Sequence, residues 1–145
     1  MKGLLTMTRI LSLIVLALAL PFTGFAANSA KEELKLIHVA DLEKMMSTQK
    51  ASTFVFDANT DSTRTKSGMI PGAKALTSSS SYPVSVLPSD KNATLVFYCA
   101  NTQCMASHDA AKRAIAEGYK NSIVMADGIQ GWVKAGKPIE KFAAK

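Results

Sequence analysis

Cysteine is the residue type in this chain best suited to covalent chemistry, and it occurs at two positions, Cys99 and Cys104. Cys99 follows the apolar run 94–98, and a segment rich in helix-forming residues, 107–117, begins shortly after it. The free N–H groups and the positive dipole end of a helix start stabilise a thiolate relative to a thiol. We therefore predict a reactive nucleophile at Cys99; the alternative is an inert thiol that packs as a small apolar side chain.

The spacing of the two cysteines limits what a bridge between them could do. A disulfide from Cys99 to Cys104 would close a very small ring, and the stabilisation by a crosslink grows with the length of the closed loop. A structural crosslink is therefore the weaker interpretation. A redox-active or sulfur-handling pair is the stronger one, and the sequence leaves open whether the bond forms.

Metal binding is the other chemistry that these side chains suggest. Cys104 and His108 are four residues apart and would share one face of a helix, with Cys99 as a third ligand. Zinc sites use four protein ligands, or three and a water, and the chain has no further cysteine. We therefore expect neither a metal nor another cofactor.

Strand and helix patterns alternate along the chain around the cysteines. Apolar and β-branched runs predict strands at Leu36–Val39, Thr53–Asp57, Thr94–Tyr98 and Ser122–Met125. Helix-forming runs predict helices at 41–47, 107–117 and 129–135. This alternation is typical of an α/β fold with a central parallel sheet flanked by helices. It places Cys99 at the carboxyl end of a buried strand, the sheet edge at which such folds bind ligands.

The segment after the strand 53–57 is polar and punctuated by glycine and proline. Its composition predicts a loop over 59–67, a turn over 68–73, a short strand over 74–76 and a flexible loop over 77–82. Arg64 is the one arginine of the first loop. A solvated side chain is the default for such an arginine, and the alternative is that Arg64 faces an anionic substrate.

The beginning of the chain has the pattern of a secretory signal peptide. Two cations without an acid accompany the apolar run 10–22, and small residues precede a cut after Ala26. We predict a signal peptide over 1–26, a polar lead-in over 27–35 and one domain over 36–140. The protein would then be periplasmic or secreted, with no stable membrane insertion after cleavage. An uncleaved N-terminal anchor is the alternative.

The size and net charge of the chain left after cleavage limit the kinds of partner it could bind. Cleavage would leave 119 residues, enough for one core, and a net charge of +4 in place of +6. The lysines are scattered rather than clustered, so we predict no nucleic-acid binding. An oxidising compartment would permit a disulfide.

From about 36 to 138, the chain resembles the rhodanese-like domains. The matching pieces occur in the order typical of that family: Phe54–Asp57, Gly68–Ala73, Val96–Cys99, Ala106–Ala111 and the segment 118–138. The resemblance implies a three-layer fold with a central parallel sheet. It also implies a sulfurtransferase in which Cys99 takes sulfane sulfur from a donor such as thiosulfate and holds it as a persulfide. A thiophilic acceptor, cyanide or a thiol, then removes the sulfur in a second half-reaction.

The same resemblance assigns an active-site loop in which the backbone N–H groups of residues 100–104 cradle the sulfur. The predicted loop residues are Ala100, Asn101, Thr102, Gln103, Met105 and Ser107. Compared with the usual family loop, this one is about two residues longer and lacks both an arginine and a central glycine. Met69 and Asn59 also stand where the family often has histidine and arginine. These departures leave the sulfur donor open.

Several roles remain open for Cys104 and for the domain. Cys104 could attack a persulfide on Cys99, releasing sulfide and forming a disulfide, or protect Cys99 from over-oxidation. The protein could instead be a thiol–disulfide redox protein or a non-catalytic binding module of the same fold. A phosphatase or arsenate reductase would need an arginine in the loop. The expected partners are a small anionic sulfur donor and a thiol or cyanide acceptor; the sequence indicates no particular partner protein.

Overall fold

The computed structural model describes residues 33–143 of the chain. The signal peptide predicted over 1–26 lies outside the described residues, as does most of the predicted lead-in. Within 33–143 there is no helix of sufficient length and apolar character to cross a membrane.

A five-stranded sheet, parallel throughout, forms the centre of the described domain, in the strand order β1–β5–β4–β2–β3. The strands are β1 (Lys35–Ile37), β2 (Thr53–Asp57), β3 (Lys74–Ala75), β4 (Thr94–Tyr98) and β5 (Ser122–Met125). The predicted α/β class and parallel sheet are therefore confirmed. The central strand β4 pairs with β2 and β5, so the residue after it, Cys99, lies in the middle of the carboxyl edge.

Helices cover both faces of this sheet. They are α1 (Val39–Thr48), α2 (Asp61–Ser67), α3 (Ala106–Ala116) and α4 (Gly128–Lys134), with a short 3-10 turn at Val84–Val86. Leu42 of α1 and Trp132 of α4 pack on one face, while Ala110 and Ala114 of α3 pack on the other. The three-layer arrangement expected from the family resemblance is confirmed.

Strand β4 is buried on both sides, as its unbroken apolar sequence predicts. Successive side chains of a strand point to opposite faces. Val96 and Tyr98 accordingly join the cluster beneath α1 and α4, whereas Leu95, Phe97 and Cys99 join the cluster beneath α3. The Cys99 side chain is thereby directed toward α3.

The segment 59–67, predicted as a loop, contains helix α2, so that prediction is wrong for its larger part. Thr60 caps the helix by accepting a hydrogen bond from the Thr63 N–H. Gly68 ends it with a φ of 73°, a left-handed conformation that glycine adopts readily. No apolar periodicity marks this helix, because the side chain it buries is that of Arg64.

The bounds of the first strand differ from the prediction at both ends. β1 ends at Ile37 and α1 begins at Val39, where the backbone N–H donates to Asp127 Oδ2 at 2.9 Å. A carboxylate at a helix start satisfies free N–H groups and favours the helix over continued strand. His38 is exposed, and its Nδ1 lies 3.2 Å from the same carboxylate.

Candidate active site

Cys99 follows the central strand directly and is almost fully buried, with 1% of its surface exposed. It belongs to the apolar cluster beneath α3, which also contains Ala58, directly after β2, and Ala110 of α3; Ala106 packs against this cluster. The sequence position of Cys99 predicted this location at the carboxyl edge of the sheet, beside a helix start. The catalytic role itself remains a prediction.

Cys99 and Cys104 form a disulfide, with Cα atoms 6.3 Å apart. This is the pairing that the sequence left open. Cys104 is only partly buried, so the two sulfur-bearing residues of one bond differ in their access to solvent.

Ser107 brings a hydroxyl group to the buried sulfur. Its Oγ lies 3.2 Å from Cys99 Sγ, and the residue is itself buried in the first turn of α3. A sulfur in a disulfide carries no hydrogen, so the Ser107 hydroxyl is the donor in this contact. The sequence prediction placed Ser107 in the loop by resemblance, and the structure brings it into contact with Cys99.

Asn101 organises the loop between the cysteines. Its Oδ1 accepts the Gln103 N–H at 3.0 Å, and its backbone carbonyl accepts the Cys104 N–H at 3.1 Å. These two N–H groups belong to the cradle expected over residues 100–104. With the disulfide formed, they are engaged inside the loop, so that part of the cradle is not formed in this state.

The start of α4 holds the other side of the loop. Ile129 N–H donates to the Cys99 carbonyl at 2.8 Å, and Gln130 N–H donates to the Ala100 carbonyl at 3.0 Å. Gly128 has a φ of 64°, and a Cβ atom there would lie 2.5 Å from the Ala100 carbonyl carbon. Glycine is therefore required here for both conformation and space. No local sequence pattern indicates this contact, because residues 100 and 128 are far apart in the chain.

The outer surface of the loop is formed by three of the predicted residues. Thr102, Gln103 and Met105 are exposed, and Met105 exposes 54% of its surface. Ala100 and Asn101 are half-buried. The predicted loop residues thus form one segment, with Cys99 and Ser107 on its buried side and Met105 on its exposed side.

A buried polar network anchors the strand end just before Cys99. The Tyr98 hydroxyl donates to Asp57 Oδ2 at 2.6 Å and accepts the Ile70 N–H at 3.1 Å. Burial raises the pKa of Tyr98 far above its ordinary value, and the Asp57 carboxylate adds to the rise. The phenol therefore stays neutral and acts as a donor. From the sequence, Asp57 is recognisable only as the end of a predicted strand.

Arg64 is buried, with 3% of its surface exposed, so the default prediction of a solvated side chain is wrong. Its guanidinium contacts Asp61 Oδ1 at 2.7 Å, and its Nε lies 3.3 Å from Asp57 Oδ1. It also donates to the backbone carbonyls of Asp57 and Leu76 at 2.9 and 2.7 Å. These contacts tie α2 to β2 and β3. They favour a structural role over the predicted substrate contact, which stays a prediction.

An open cleft lies at the carboxyl ends of β2 and β3, next to the start of α3. Among its lining residues are Asn59, Arg64, Ser78 and Ala106. Asn59 is buried, and its N–H donates to Asp57 Oδ1 at 2.7 Å. Met69, the other departure from the family pattern, is also buried, and its backbone pairs with that of Glu140.

Within residues 33–143, no group of three or more His, Cys, Asp or Glu side chains could hold a metal ion. His108 lies half-buried on α3, and its Nδ1 has no hydrogen-bond partner. Cys104, the other ligand considered, is bonded to Cys99.

Solved structures of similar fold include proteins from bacteria and from yeast. BH2092 from Bacillus halodurans is 18% identical, with a TM-score of 0.64, covering 74% of this chain and 77% of its own. RPA3614 from Rhodopseudomonas palustris, described as a possible tyrosine phosphatase, is 24% identical with a TM-score of 0.59, covering 74% and 85%. The Saccharomyces cerevisiae single-domain sulfurtransferase RDL2 is 17% identical with a TM-score of 0.56, covering 74% and 98%. At these identities the likeness is one of fold.

A family model for the rhodanese-like domain matches residues 38–135, which is more than half of the chain. A search of curated proteins found no match. The family match covers the segment from the start of α1 to the end of α4, and so includes both cysteines and the loop between them. The chain therefore belongs to the family of rhodanese-like domains.

Proposed function

We propose that this protein is a sulfurtransferase that carries sulfane sulfur as a persulfide on Cys99. The observation that carries the proposal is the place of the cysteine. Cys99 directly follows the central strand of the sheet, lies beside the first turn of α3 and has the Ser107 hydroxyl 3.2 Å from its sulfur. A hydrogen-bond donor and a helix start both stabilise negative charge on that sulfur.

The reaction would begin from the reduced protein. The Cys99 thiolate attacks the outer sulfur of a donor such as thiosulfate, the S–S bond of the donor breaks, and sulfite leaves with the electron pair. An acceptor nucleophile, cyanide or a thiolate, then attacks the outer sulfur of the persulfide and releases Cys99 as a thiolate. These are the two half-reactions of covalent catalysis.

The cleft beside Ala106 is the proposed approach for the donor. Arg64 is the one cation among its described lining residues, and it is paired with Asp57 and Asp61. A paired guanidinium attracts a second anion weakly, because its charge is already balanced. The cleft therefore gives the thiosulfate dianion no strong advantage, so thiosulfate and an organic persulfide of lower charge are both donors to assay.

We also propose that the protein is exported to the periplasm or the cell exterior after removal of residues 1–26. The sequence pattern of that segment supports this proposal. The Cys99–Cys104 disulfide is compatible with it, since oxidising compartments preserve such bonds.

A thiol–disulfide redox function is the second candidate, and the observed disulfide favours it. In this alternative the pair exchanges electrons with another dithiol, and no sulfur atom is transferred. The two functions use the same residues but change the mass of the protein differently, so one measurement of intact mass separates them.

The test is the intact mass of the reduced protein before and after thiosulfate or an organic persulfide, for the parent, Cys99→Ala and Cys104→Ala. Sulfur transfer predicts a gain of one sulfur atom in the parent that is lost in Cys99→Ala and kept in Cys104→Ala. Loss of two hydrogens in the parent, absent from both variants, would favour the redox function. No change with either donor would leave a non-catalytic domain.

A further inference from the structure

The two ends of the Cys99–Cys104 disulfide differ in access. Cys99 is 1% exposed and enclosed by the apolar cluster beneath α3. Cys104 is partly exposed, and its neighbours Gln103 and Met105 are exposed. A thiolate that attacks a disulfide approaches one sulfur from the side opposite the other, so the accessible sulfur is attacked first. Cys104 also packs against the cluster but is partly exposed, so in the oxidised form a thiolate from solvent reaches Cys104 more readily than the enclosed Cys99.

The two sulfurs also differ as leaving groups. The Ser107 hydroxyl lies 3.2 Å from Cys99 Sγ, and helix α3 begins at Ala106. The Ser107 hydrogen bond stabilises a thiolate on Cys99 as the bond breaks, whereas the helix start is near both cysteines in the chain. A disulfide opens faster when the departing thiol is better stabilised as a thiolate. Access and leaving-group stability therefore favour the same direction of opening.

We propose that the disulfide is opened from the Cys104 side by an external thiol. A thiolate attacks Cys104 Sγ, the Cys99–Cys104 bond breaks, and Cys99 leaves as a thiolate that accepts the Ser107 hydrogen bond. The Cys104 sulfur then carries the mixed disulfide. A second thiolate of the reductant attacks the reductant's own sulfur in that mixed disulfide and releases Cys104. The protein gains two electrons, and the reductant becomes a disulfide.

This direction gives each cysteine a separate task. Cys104 exchanges electrons with a dithiol reductant at the surface, and Cys99 is released, already deprotonated, beside α3. The exchange step does not depend on sulfur transfer. Coupling it to the catalytic cycle rests on the proposed function, because a persulfide can form only on a free Cys99.

The test uses the oxidised full chain and a small thiol. The protein is mixed with glutathione, quenched with acid after short times and digested with pepsin at low pH, where thiol exchange stops. Fragment ions between positions 99 and 104 locate the glutathione. We expect at least about ten times as much glutathione on Cys104 as on Cys99. Equal amounts, or an excess on Cys99, would overturn the proposal.

A charge placed beside Cys104 supplies a second measurement. Met105→Glu is an exposed change in the loop, and Ala51→Glu makes the same change in charge in the exposed turn before β2, at the opposite edge of the sheet. At low salt we expect Met105→Glu to slow glutathione, whose thiolate form has a net charge of about −2, by about two- to three-fold, and to slow mercaptoethanol, whose thiolate carries a single charge, by less. Ala51→Glu should change neither rate. An unchanged glutathione rate in Met105→Glu would contradict attack at the exposed sulfur.

The outcomes also separate this proposal from the sulfurtransferase proposal. Glutathione on Cys104 without any persulfide on Cys99 would support the direction of exchange and reject sulfur transfer. If the donor assay gives a persulfide on Cys99 but the trapping experiment finds glutathione mainly on Cys99, sulfur transfer is supported and the proposed direction of exchange is rejected.

Discussion

The hydroxyl of Tyr98 lies 2.6 Å from Oδ2 of Asp57 and donates a hydrogen bond to it across two neighbouring strands. The two residues are also partners in the register of β2 and β4. This bond fixes the end of the central strand one residue before Cys99. The position of the sulfur therefore depends on a buried polar contact that itself lies on the opposite face of the sheet.

Removing that hydroxyl should loosen the strand end. Tyr98→Phe leaves Asp57 Oδ2 and the Ile70 N–H without the partner they share, and a lost buried hydrogen bond of this kind costs about 1–3 kcal/mol. Urea unfolding should show the loss, and the rate of persulfide formation should fall with it.

Tyr82→Phe is the matched control, because Tyr82 is also fully buried but donates only to the Ala110 carbonyl. It should cost less free energy of unfolding and leave the rate of persulfide formation unchanged. Equal effects of the two variants on that rate would contradict the anchoring role of Tyr98.

Gly128 is the contact between helix α4 and the cysteine loop. In Gly128→Ala the new Cβ would meet backbone atoms of Ala100 and Asn101 at 2.5–2.6 Å, so the loop must move. We expect a loss of about 2 kcal/mol or more in the free energy of unfolding, together with slower closure of the Cys99–Cys104 disulfide. Unfolding in urea and the time course of disulfide formation measure the two effects.

Gly136→Ala separates crowding from backbone strain. Gly136 also has a positive φ, 71°, but a Cβ there meets nothing within 4 Å. We expect only the conformational cost, about 1 kcal/mol, and no change in disulfide closure. Similar losses of unfolding free energy in Gly128→Ala and Gly136→Ala would show that the close contact at Gly128 adds nothing to the cost of the positive φ.

Substitutions at Arg64 can distinguish a structural role from a role in substrate binding. Removing one partner of a buried ion pair costs about 3–5 kcal/mol, so Arg64→Gln should unfold far more easily in urea. Arg64→Lys should recover only part of the loss, because lysine cannot reproduce the forked donors to Asp61 and Leu76. The KM for thiosulfate should be unchanged in folded Arg64→Lys. A several-fold rise in KM without loss of stability would support substrate binding instead.

Alkaline pH should destabilise the fold through buried tyrosines. Burial raises the pKa of Tyr82 from 10.0 to about 12, although the Arg113 guanidinium opposes the rise. The folded protein therefore holds this proton more tightly than the unfolded chain. The resulting stability is complete below about pH 10 and is lost as the pH rises through 12. Urea midpoints measured across this range should fall, and Tyr82→Phe should show a shallower fall. A flat profile in the parent would contradict the prediction.

Strands β2, β4 and β5 have the bounds that the sequence predicts, because each is mostly an apolar or β-branched run of strand length. Burial on both faces of a parallel sheet demands such runs, so they are visible without tertiary information. The position of Cys99 follows from the bounds of β4. These local patterns also carried the family resemblance.

Helix α2 shows where local patterns fail. Its sequence lacks an apolar stripe, and its stability depends on Arg64 contacts with Asp57 and Leu76, which are distant in the chain from one another. The local signals that could have indicated it are the Thr60 cap, Asp61 in the first turn and Gly68 at the end. These capping signals are weaker than the polar composition of the segment, which predicts a loop.

The chain's own sequence determined the α/β alternation, the strand that delivers Cys99 and the proximity of a second cysteine, since all three depend on residue order over short distances. Only the tertiary structure decided which sulfur is buried, which amide groups the loop consumes and that Gly128 must lack a side chain. Those properties arise where β4, α3 and α4 meet. Contacts between elements that are distant in the chain leave no periodic pattern in the amino-acid sequence.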